Sequence, residues 1–379
     1  MSKSSSDQHD HSPAGVAGAA VAAPAPGRPL PRALRRLLKL AYVVGGLFLF
    51  ILALRMLSKG AGGLGPFLKD SLGIENAVNT LGFGWLFAYG VLSGSPVASI
   101  ALSFLDSGVI DALQTFTMIT GSRLGASFIV LVIGFIYYLR GRQRAASISI
   151  GILSLSVTAT TYLPALAIGY WLIQGGVLDN VRLSLPTAVF DFVETFFDPL
   201  VAWVLAHTNN LIVFVLGVGV LLLAFNLLDR ALPQVDAEHN AFGRVGGLIY
   251  RPMAMFFLGA FVTSLTLSVS VSLSILVPLS ARGFIRRENT LPYIMGANIT
   301  TFIDTLIASL LIKNSAGFTV VLAEIISIAI VSLVILLFFY RPYERLILRL
   351  LDRVVNDTPI LITFMVIMVV TPVLLLLVF

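Results

Sequence analysis

Apolar residues fill ten long blocks of the chain, and polar residues gather in the short segments between them. The blocks lack the strict alternation of a strand, and most are near the length of about 20 residues that a helix needs to cross a bilayer. We therefore predict an all-α polytopic membrane protein. The predicted helical blocks are 40–58, 81–105, 113–139, 147–174, 185–206, 211–228, 252–281, 290–312, 318–340 and 358–379.

Composition supports this interpretation. Hydrophobic residues make up 57% of the 379 residues and charged residues only 12%, whereas soluble domains carry about 25% charged residues. The chain contains no cysteine, which excludes disulfides and thiolate metal sites. The net charge of +6 comes largely from loop residues of the kind that set orientation in a membrane. It therefore does not indicate nucleic-acid binding.

The first 30 residues differ from the rest. Residues 1–30 are rich in Ser, Ala, Gly and Pro, and we expect a disordered tail. His9 and His11 lie in it without a composition that indicates a metal site. Because basic residues cluster just before the first block, we place the N-terminus and the tail in the cytoplasm. We expect the protein in the plasma, or cell inner, membrane. These basic residues are Arg28, Arg32, Arg35, Arg36 and Lys39.

An internal repeat relates the two halves of the chain. Gly84 matches Gly259, which gives a shift of 259 − 84 = 175 residues, and Gly121 matches Gly296 at the same shift. Equivalent loops carry opposite charge: half one has Asp106 and Asp111, and half two has Arg282, Arg286 and Arg287. The positive-inside rule puts these loops on opposite faces, so we predict two inverted-topology repeats at 31–206 and 207–355, followed by a final transmembrane helix at 356–379.

Inversion requires an odd number of crossings in each half. Blocks 81–105 and 252–281 are therefore predicted to be re-entrant helical hairpins with serine-rich tips, which leaves about seven crossings. Block 185–206 is predicted to be an interfacial helix, because Asp191, Glu194 and Asp198 share one helix face. An acid-lined cation path is the alternative for these three residues. The basic amphipathic segment 341–354 is expected to be the cytoplasmic counterpart of block 185–206.

The serine runs at the hairpin tips are candidate binding residues. Ser93, Ser95 and Ser99 recur at the 175-residue shift as Ser268, Ser270 and Ser274, and Ser272 is added. Hydroxyls both donate and accept hydrogen bonds, so they can bind an oxyanion or a dehydrated Na⁺. Close helix packing through small residues is the alternative.

A second motif follows each serine run. It reads Gly-Ala-Asn-Ile-Thr-Thr at 296–301 and Gly-Ser-Arg-Leu-Gly-Ala at 121–126. Together with the stretches 45–60 and 276–279, this pattern resembles the type II sodium–phosphate cotransporter family in a divergent, bacterial-type form. The resemblance covers roughly 40–135 and 211–312. It implies sodium-coupled symport of phosphate or a related oxyanion across the plasma membrane by alternating access, with Na⁺ as the coupling ion.

We assign the site residues on this basis. An anion would lie between the hairpin tips and the following helices, held by Ser93, Ser95, Arg123, Ser268, Ser270 and Asn298. A cation would be held by Ser99, Ser272, Thr300, Thr301 and Asp304. No metal other than Na⁺ is expected, and the bilayer is the second partner. The sequence leaves open whether two copies form a homodimer.

The chain departs from the family motif at several positions. Leu92 and Leu267 replace the family's Gln, Gly94 and Val269 replace its middle serine, Thr300 replaces a Gly, and Arg123 replaces an Asn. A charge inside a membrane helix suggests function. Arg123 is predicted to hold an oxyanion bidentately, to replace a bound cation, or to form a structural ion pair with Asp304.

Two other functions fit the same pattern. A proton-coupled or uncoupled anion exporter would use Asp304 or Glu324, although a partnered packing role is the alternative for Glu324. A non-transporting membrane scaffold would have lost its site. His207 and His239 fall in loops without a ligand set, and because no catalytic motif occurs, we do not expect an enzyme.

Overall fold

A computed structural model describes residues 32–139, 144–181, 183, 185–231, 251–269, 271–273, 276 and 286–378. The predicted tail at 1–30, Ser270, His239 and Arg282 lie outside these residues. The helices in half one are α1 (Arg32–Ala61), α2 (Ala77–Val91), α3 (Gly94–Asp106), α4 (Ala112–Leu139), α5 (Arg144–Gln174) and α6 (Thr187–His207). Those that follow are α7 (Asn210–Ala231), α8 (Pro252–Thr266), α9 (Arg287–Thr300), α10 (Ile303–Leu311), α11 (Ala316–Val334), α12 (Tyr340–Asn356) and α13 (Thr358–Leu377).

The predicted all-α polytopic class is confirmed. No strand occurs in the described part of the chain, and 7 of its helical segments are long and apolar enough to cross a membrane. They correspond to the seven blocks predicted to cross. The segments are Arg36–Ala61, Ala112–Val132, Ile148–Gln174, Asn210–Ala231, Arg287–Leu311, Ala316–Asn356 and Pro359–Leu377. The chain is therefore a multi-pass membrane protein.

The crossing helices differ in how far they are buried. In the most apolar part of Ala112–Val132, 83% of residues are buried inside the protein, against 6% for Pro359–Leu377. The α4 segment is therefore central, where polar side chains can be surrounded by protein. The last helix, α13, presents its apolar residues outward, as a lipid-facing helix does.

Two helices stop at equivalent positions inside apolar blocks. The α2 helix ends at Val91 and the α8 helix at Thr266. The leucines that follow, Leu92 and Leu267, have a positive φ, of 55° and 50° respectively. A left-handed conformation costs a residue with a side chain about 1–2 kcal/mol. Because both leucines adopt it at the same place in the 175-residue register, the serine-rich tips of the two halves share one local backbone design.

Glycines let the helices approach closely at matching places. A Cβ on Gly84 would lie less than 3.0 Å from the backbone carbonyl oxygen of Met118, and a Cβ on Gly259 would meet Tyr293 in the same way. Gly84 and Gly259 are 175 residues apart, and so are their contact partners Met118 and Tyr293. The packing of α2 on α4 is thus repeated by α8 on α9. Only glycine permits backbones to approach this closely.

Two acids of α6, Glu194 and Asp198, are paired with basic residues. Asp198 accepts two hydrogen bonds of 2.8 Å from Arg55 of α1 and lies 3.2 Å from Lys59. Glu194 forms an ion pair with Lys313, which lies between α10 and α11. These pairs tie α6 to α1 and to the loop before α11. An interfacial position for α6 stays a prediction.

We expect the Asp198–Arg55 pair to stabilise the fold in a pH-dependent way. Partial burial favours a raised pKa for Asp198, but the hydrogen bonds and charges of Arg55 and Lys59 outweigh it and hold that pKa below the ordinary 3.8. The contribution is present above this ordinary value and is lost as the pH falls below it. Asp198→Asn should cost about 1 kcal/mol at pH 7, and the difference should shrink at pH 3.

Thermal unfolding in detergent at both pH values checks this prediction. Asp191→Asn, which removes an exposed acid of the same helix, is the matched control and should change little. An equal loss of stability in the two variants would contradict the role given to the ion pair.

The amphipathic helix α12 continues from α11 through one π-helical turn, Ile335–Phe339. Its apolar face is buried, with Tyr343, Ile347 and Leu351 inside. The Tyr343 hydroxyl lies 2.7 Å from Thr160 Oγ1 of α5. The segment predicted at 341–354 is therefore helical and amphipathic as expected, and it packs on the protein core as an extension of the preceding helix.

Candidate functional site

A small cavity lies where the two serine-rich tips meet the middle of α4 and the end of α9. Its volume is about 30 Å³, enough for one or two water molecules. The lining residues are Ser93, Gly94, Ser95, Arg123, Ala126, Ser127, Tyr162, Ser268, Val269, Asn298 and Thr301. The structure thus brings together five of the six predicted anion-binding residues, and the sixth, Ser270, lies outside the described residues.

Arg123 is the buried charge at this cavity, with 5% of the residue exposed. Its Nη1 donates to Ser95 Oγ at 3.1 Å and to Thr301 Oγ1 at 3.3 Å. Its Nη2 donates to Thr305 Oγ1 at 2.5 Å and lies 3.4 Å from Asp304 Oδ1. One nitrogen therefore faces hydroxyls at the cavity, and the other faces a buried carboxylate.

Asp304 faces this charge, but the hydrogen bonding between the two groups is incomplete. Its Oδ1 accepts from the Thr305 backbone N–H at 2.5 Å and from Thr305 Oγ1 at 2.9 Å. Its Oδ2 and the Nε of Arg123 are buried without a hydrogen-bond partner among the described residues. A distance of 3.4 Å is long for an N⁺–H···O⁻ bond, which is usually about 2.7–2.9 Å. The pair is neutral overall, but each of its two side chains has one polar atom that makes no hydrogen bond to the described residues.

A break in the crossing helix lies beside this pair. The α9 helix ends at Thr300 and α10 begins at Ile303, so Thr301 and Phe302 form a turn between them. The Arg123 guanidinium carbon lies 4.7 Å from the centre of the Phe302 ring, within the range of a cation–π contact. In half one, α4 runs without a break through the equivalent positions. The two halves therefore contribute differently to the site.

Helix α5 supplies a wall that the sequence interpretation missed. Tyr162 donates to the Asn298 carbonyl oxygen at 3.0 Å, and Asn298 Nδ2 donates to Thr158 Oγ1 at 3.1 Å. Ser127 donates to the same Thr158 oxygen at 2.9 Å. A signal for this wall exists in the sequence, since hydroxyl residues crowd the middle of an apolar block. They are Ser154, Ser156, Thr158, Thr160, Thr161 and Tyr162.

The predicted cation-binding residues are not gathered into one place. Ser99 donates to the Ser95 carbonyl oxygen within α3, and Ser272 lies 2.8 Å from the Tyr293 hydroxyl. Thr300 donates to a carbonyl oxygen of α8. Two of the five predicted residues lie beside Arg123: Thr301 and Asp304.

Glu324 is a second buried acid near the site. It is 1% exposed and accepts a hydrogen bond of 2.5 Å from Thr120 Oγ1. Thr120 lies one turn before Arg123 on α4. The structure thus gives Glu324 a partner, which the packing interpretation requires, and the proton-coupling interpretation stays untested. Among the described residues, no group of three or more His, Cys, Asp or Glu side chains is placed to hold a metal.

The fold and the site define a multi-pass all-α membrane protein with a charged, hydroxyl-lined cavity between two helix breaks. The chain is similar to sodium-dependent phosphate transport protein 2A of Ovis aries, with 34% identity over 128 residues, 32% of this chain and 20% of that protein. The corresponding protein of Rattus norvegicus is 33% identical over 126 residues, 31% of this chain and 20% of the relative. That of Oryctolagus cuniculus is 36% identical over 103 residues, 26% of this chain and 16% of the relative.

These similarities confirm the resemblance predicted from the motifs, over about a third of the chain. The matched part spans only about a fifth of the length of these curated relatives. Their names describe transport proteins and not enzymes. No protein-family model matches the chain, and no solved structure matches it.

Proposed function

We propose that this protein is a secondary active transporter that couples Na⁺ to the movement of phosphate or a related oxyanion across the plasma membrane. The observation that carries the proposal is Arg123, which is buried at a hydroxyl-lined cavity between the two helix breaks. A planar guanidinium matches an oxyanion with two parallel hydrogen bonds. The names of the curated relatives support both the sodium and the phosphate.

The start of α3 adds positive potential to the same cavity. Ser93 is the residue before the helix, and its side chain makes no capping hydrogen bond. Gly94 and Ser95 then begin the helix and line the cavity. The first N–H groups of a helix favour negative charge. Together with the Ser95 and Ser268 hydroxyls, they would complete a shell of donors around an anion.

The small size of the cavity supports alternating access. A volume of about 30 Å³ suits one or two waters, and we propose that the tips separate to admit an oxyanion. We propose that the tips belong to re-entrant hairpins of two inverted repeats, 31–206 and 207–355, with 356–379 as the last crossing and the N-terminus in the cytoplasm. The repeated glycine contacts and leucine turns support this arrangement. One bundle would move against the other.

Uptake of radiolabelled phosphate into proteoliposomes tests the proposal. With Na⁺ outside and K⁺ inside, we expect accumulation above the level that is reached with Na⁺ on both sides. Arsenate and sulfate as competitors would define the anion class. Liposomes without protein are the control for leak.

Other outcomes would favour the other two functions. Flux that follows a pH gradient and ignores Na⁺ would contradict sodium coupling and favour a proton-coupled exporter that uses Glu324 or Asp304. The absence of flux for every oxyanion, with a folded protein, would contradict transport and favour a membrane scaffold.

A further inference from the structure

We infer that Arg123 and Asp304 form an exchangeable ion pair through which anion binding creates a cation site at the Asp304 carboxylate. The inference rests on the proposed function and deepens it. In the state described here Arg123 is shared between cavity hydroxyls and Asp304. When an oxyanion takes the guanidinium, the carboxylate is released and binds Na⁺.

The geometry of the Arg123–Asp304 pair favours its separation. Its closest approach is 3.4 Å between Arg123 Nη2 and Asp304 Oδ1, longer than a good charge-assisted bond. Each residue also has a buried polar atom that makes no hydrogen bond in the described part of the chain. These atoms are Nε of Arg123 and Oδ2 of Asp304. A buried ion pair stabilises a fold only when its remaining hydrogen bonds are satisfied. The Arg123–Asp304 pair does not meet this condition.

The position of the guanidinium makes exchange geometrically simple. Nη1 reaches Ser95 and Thr301, which both line the cavity, while Nη2 reaches Asp304 on the far side. The Phe302 ring, 4.7 Å from the guanidinium carbon, provides a surface along which the group can shift while it keeps a cation–π contact. A small movement of the Arg123 guanidinium toward the cavity would therefore replace its contact with the Asp304 carboxylate by a contact with a bound oxyanion.

Charge balance then requires a cation at Asp304. An unpaired carboxylate in a buried site is costly, and Asp304 is 6% exposed. Asp229 of α7 is close enough for its charge to interact with that of Asp304, which adds negative potential. The charge of Glu324 of α11 interacts with that of Arg123. A hard cation such as Na⁺ prefers carboxylate and hydroxyl oxygens, and the Asp304 Oδ2 atom is available to it.

Exchange makes the two binding events reciprocal. If Na⁺ at Asp304 frees Arg123, then Na⁺ raises the affinity for the anion, and the anion raises the affinity for Na⁺ by the same factor. Couplings of this kind are on the order of 5- to 150-fold. An ion pair that only supports the fold would give no coupling.

Phosphate binding to the purified full chain, measured calorimetrically in Na⁺ and in K⁺ at equal ionic strength, tests the inference. For the wild type we expect Na⁺ to tighten phosphate binding by about 5- to 150-fold. Asp304→Asn keeps the side-chain shape and removes the competing charge. It should bind phosphate in K⁺ as tightly as the wild type does in Na⁺, and Na⁺ should add less than about twofold, because the coupling is lost.

Asp352→Asn is the matched control. It makes the same chemical change in an exposed pair, where Asp352 lies 3.8 Å from Arg287, and it should keep the full effect of Na⁺. If Asp304→Asn keeps the wild-type sodium dependence, the exchange is overturned while the proposed function stands. If phosphate, arsenate and sulfate all fail to bind to the wild type and the variants, the proposed function fails, and the exchange fails with it.

The wild type alone provides a second readout if Asp304→Asn does not fold. The binding of ²²Na⁺ should tighten with phosphate by the same factor by which phosphate binding tightens with Na⁺. Unequal factors, or no effect of phosphate, would overturn the exchange. A phosphate affinity that rises on acidification and ignores Na⁺ would overturn Na⁺ as the ligand of Asp304.

Discussion

Arg123→Gln is expected to abolish sodium-driven phosphate uptake and to destabilise the protein. The variant removes the guanidinium from the cavity and leaves Asp304 as a buried carboxylate without its partner. Breaking a buried ion pair in this way costs about 3–5 kcal/mol. Uptake into proteoliposomes and thermal unfolding in detergent measure the two effects separately.

Two further variants separate binding from folding. Arg287→Gln removes the same group from an exposed pair with Asp352, so its cost should stay within about 1 kcal/mol. The double variant Arg123→Gln with Asp304→Asn removes both buried charges. It should recover most of the lost stability but none of the uptake. Uptake in the double variant at the wild-type rate would contradict the anion-binding role of Arg123.

Gly84→Ala is expected to have the second largest effect. The new Cβ would lie less than 3.0 Å from the Met118 carbonyl oxygen, which belongs to the backbone of α4 and cannot rotate away. The α2 helix must then move outward. Overpacking of this kind costs typically 1–3 kcal/mol, and we expect the upper end, about 3 kcal/mol. Uptake should also fall, because α2 leads into the tip that carries Ser95, opposite Arg123.

Gly90→Ala is the control from the same helix. Nothing lies within 4 Å of a Cβ at that position, so the change should be neutral or slightly stabilising through helix propensity. Gly259→Ala, the equivalent position in the second half, should destabilise as Gly84→Ala does, because its Cβ meets Tyr293 in the same geometry. Equal unfolding temperatures for Gly84→Ala and Gly90→Ala would contradict the close contact of α2 with α4.

The charge pair illustrates what a sequence can predict about a buried site. Arg123 and Asp304 each stand inside an apolar block, where a charge requires a partner, and the internal repeat brings their helices together. Their pairing is one of the three alternatives that the sequence leaves open, and the structure shows the contact. The contacts of Thr305 and Phe302 with Arg123 do not follow from the sequence, because they depend on the turn between α9 and α10.

The hydrogen bonds of the predicted cation residues illustrate what a sequence does not predict. The recurrence of hydroxyls at the tips predicts Ser99 and Ser272 as cation ligands, but a hydroxyl inside a helix can bond to the carbonyl four residues before it. Ser99 does so, and Ser272 bonds to Tyr293. Which partner a hydroxyl takes depends on sub-ångström packing that hydropathy patterns do not encode.

The sequence by itself determined the crossing segments, the two serine-rich breaks and the membrane class, because a bilayer enforces long apolar helices and tolerates irregular polar backbone only inside protein. The tertiary structure alone decided the partners: Tyr162 beside Asn298, Asp198 with Arg55, and Arg123 between Ser95 and Asp304. These contacts join residues far apart along the chain. They depend on how the helices are rotated and spaced, which is set by close glycine contacts and side-chain packing and not by periodicity.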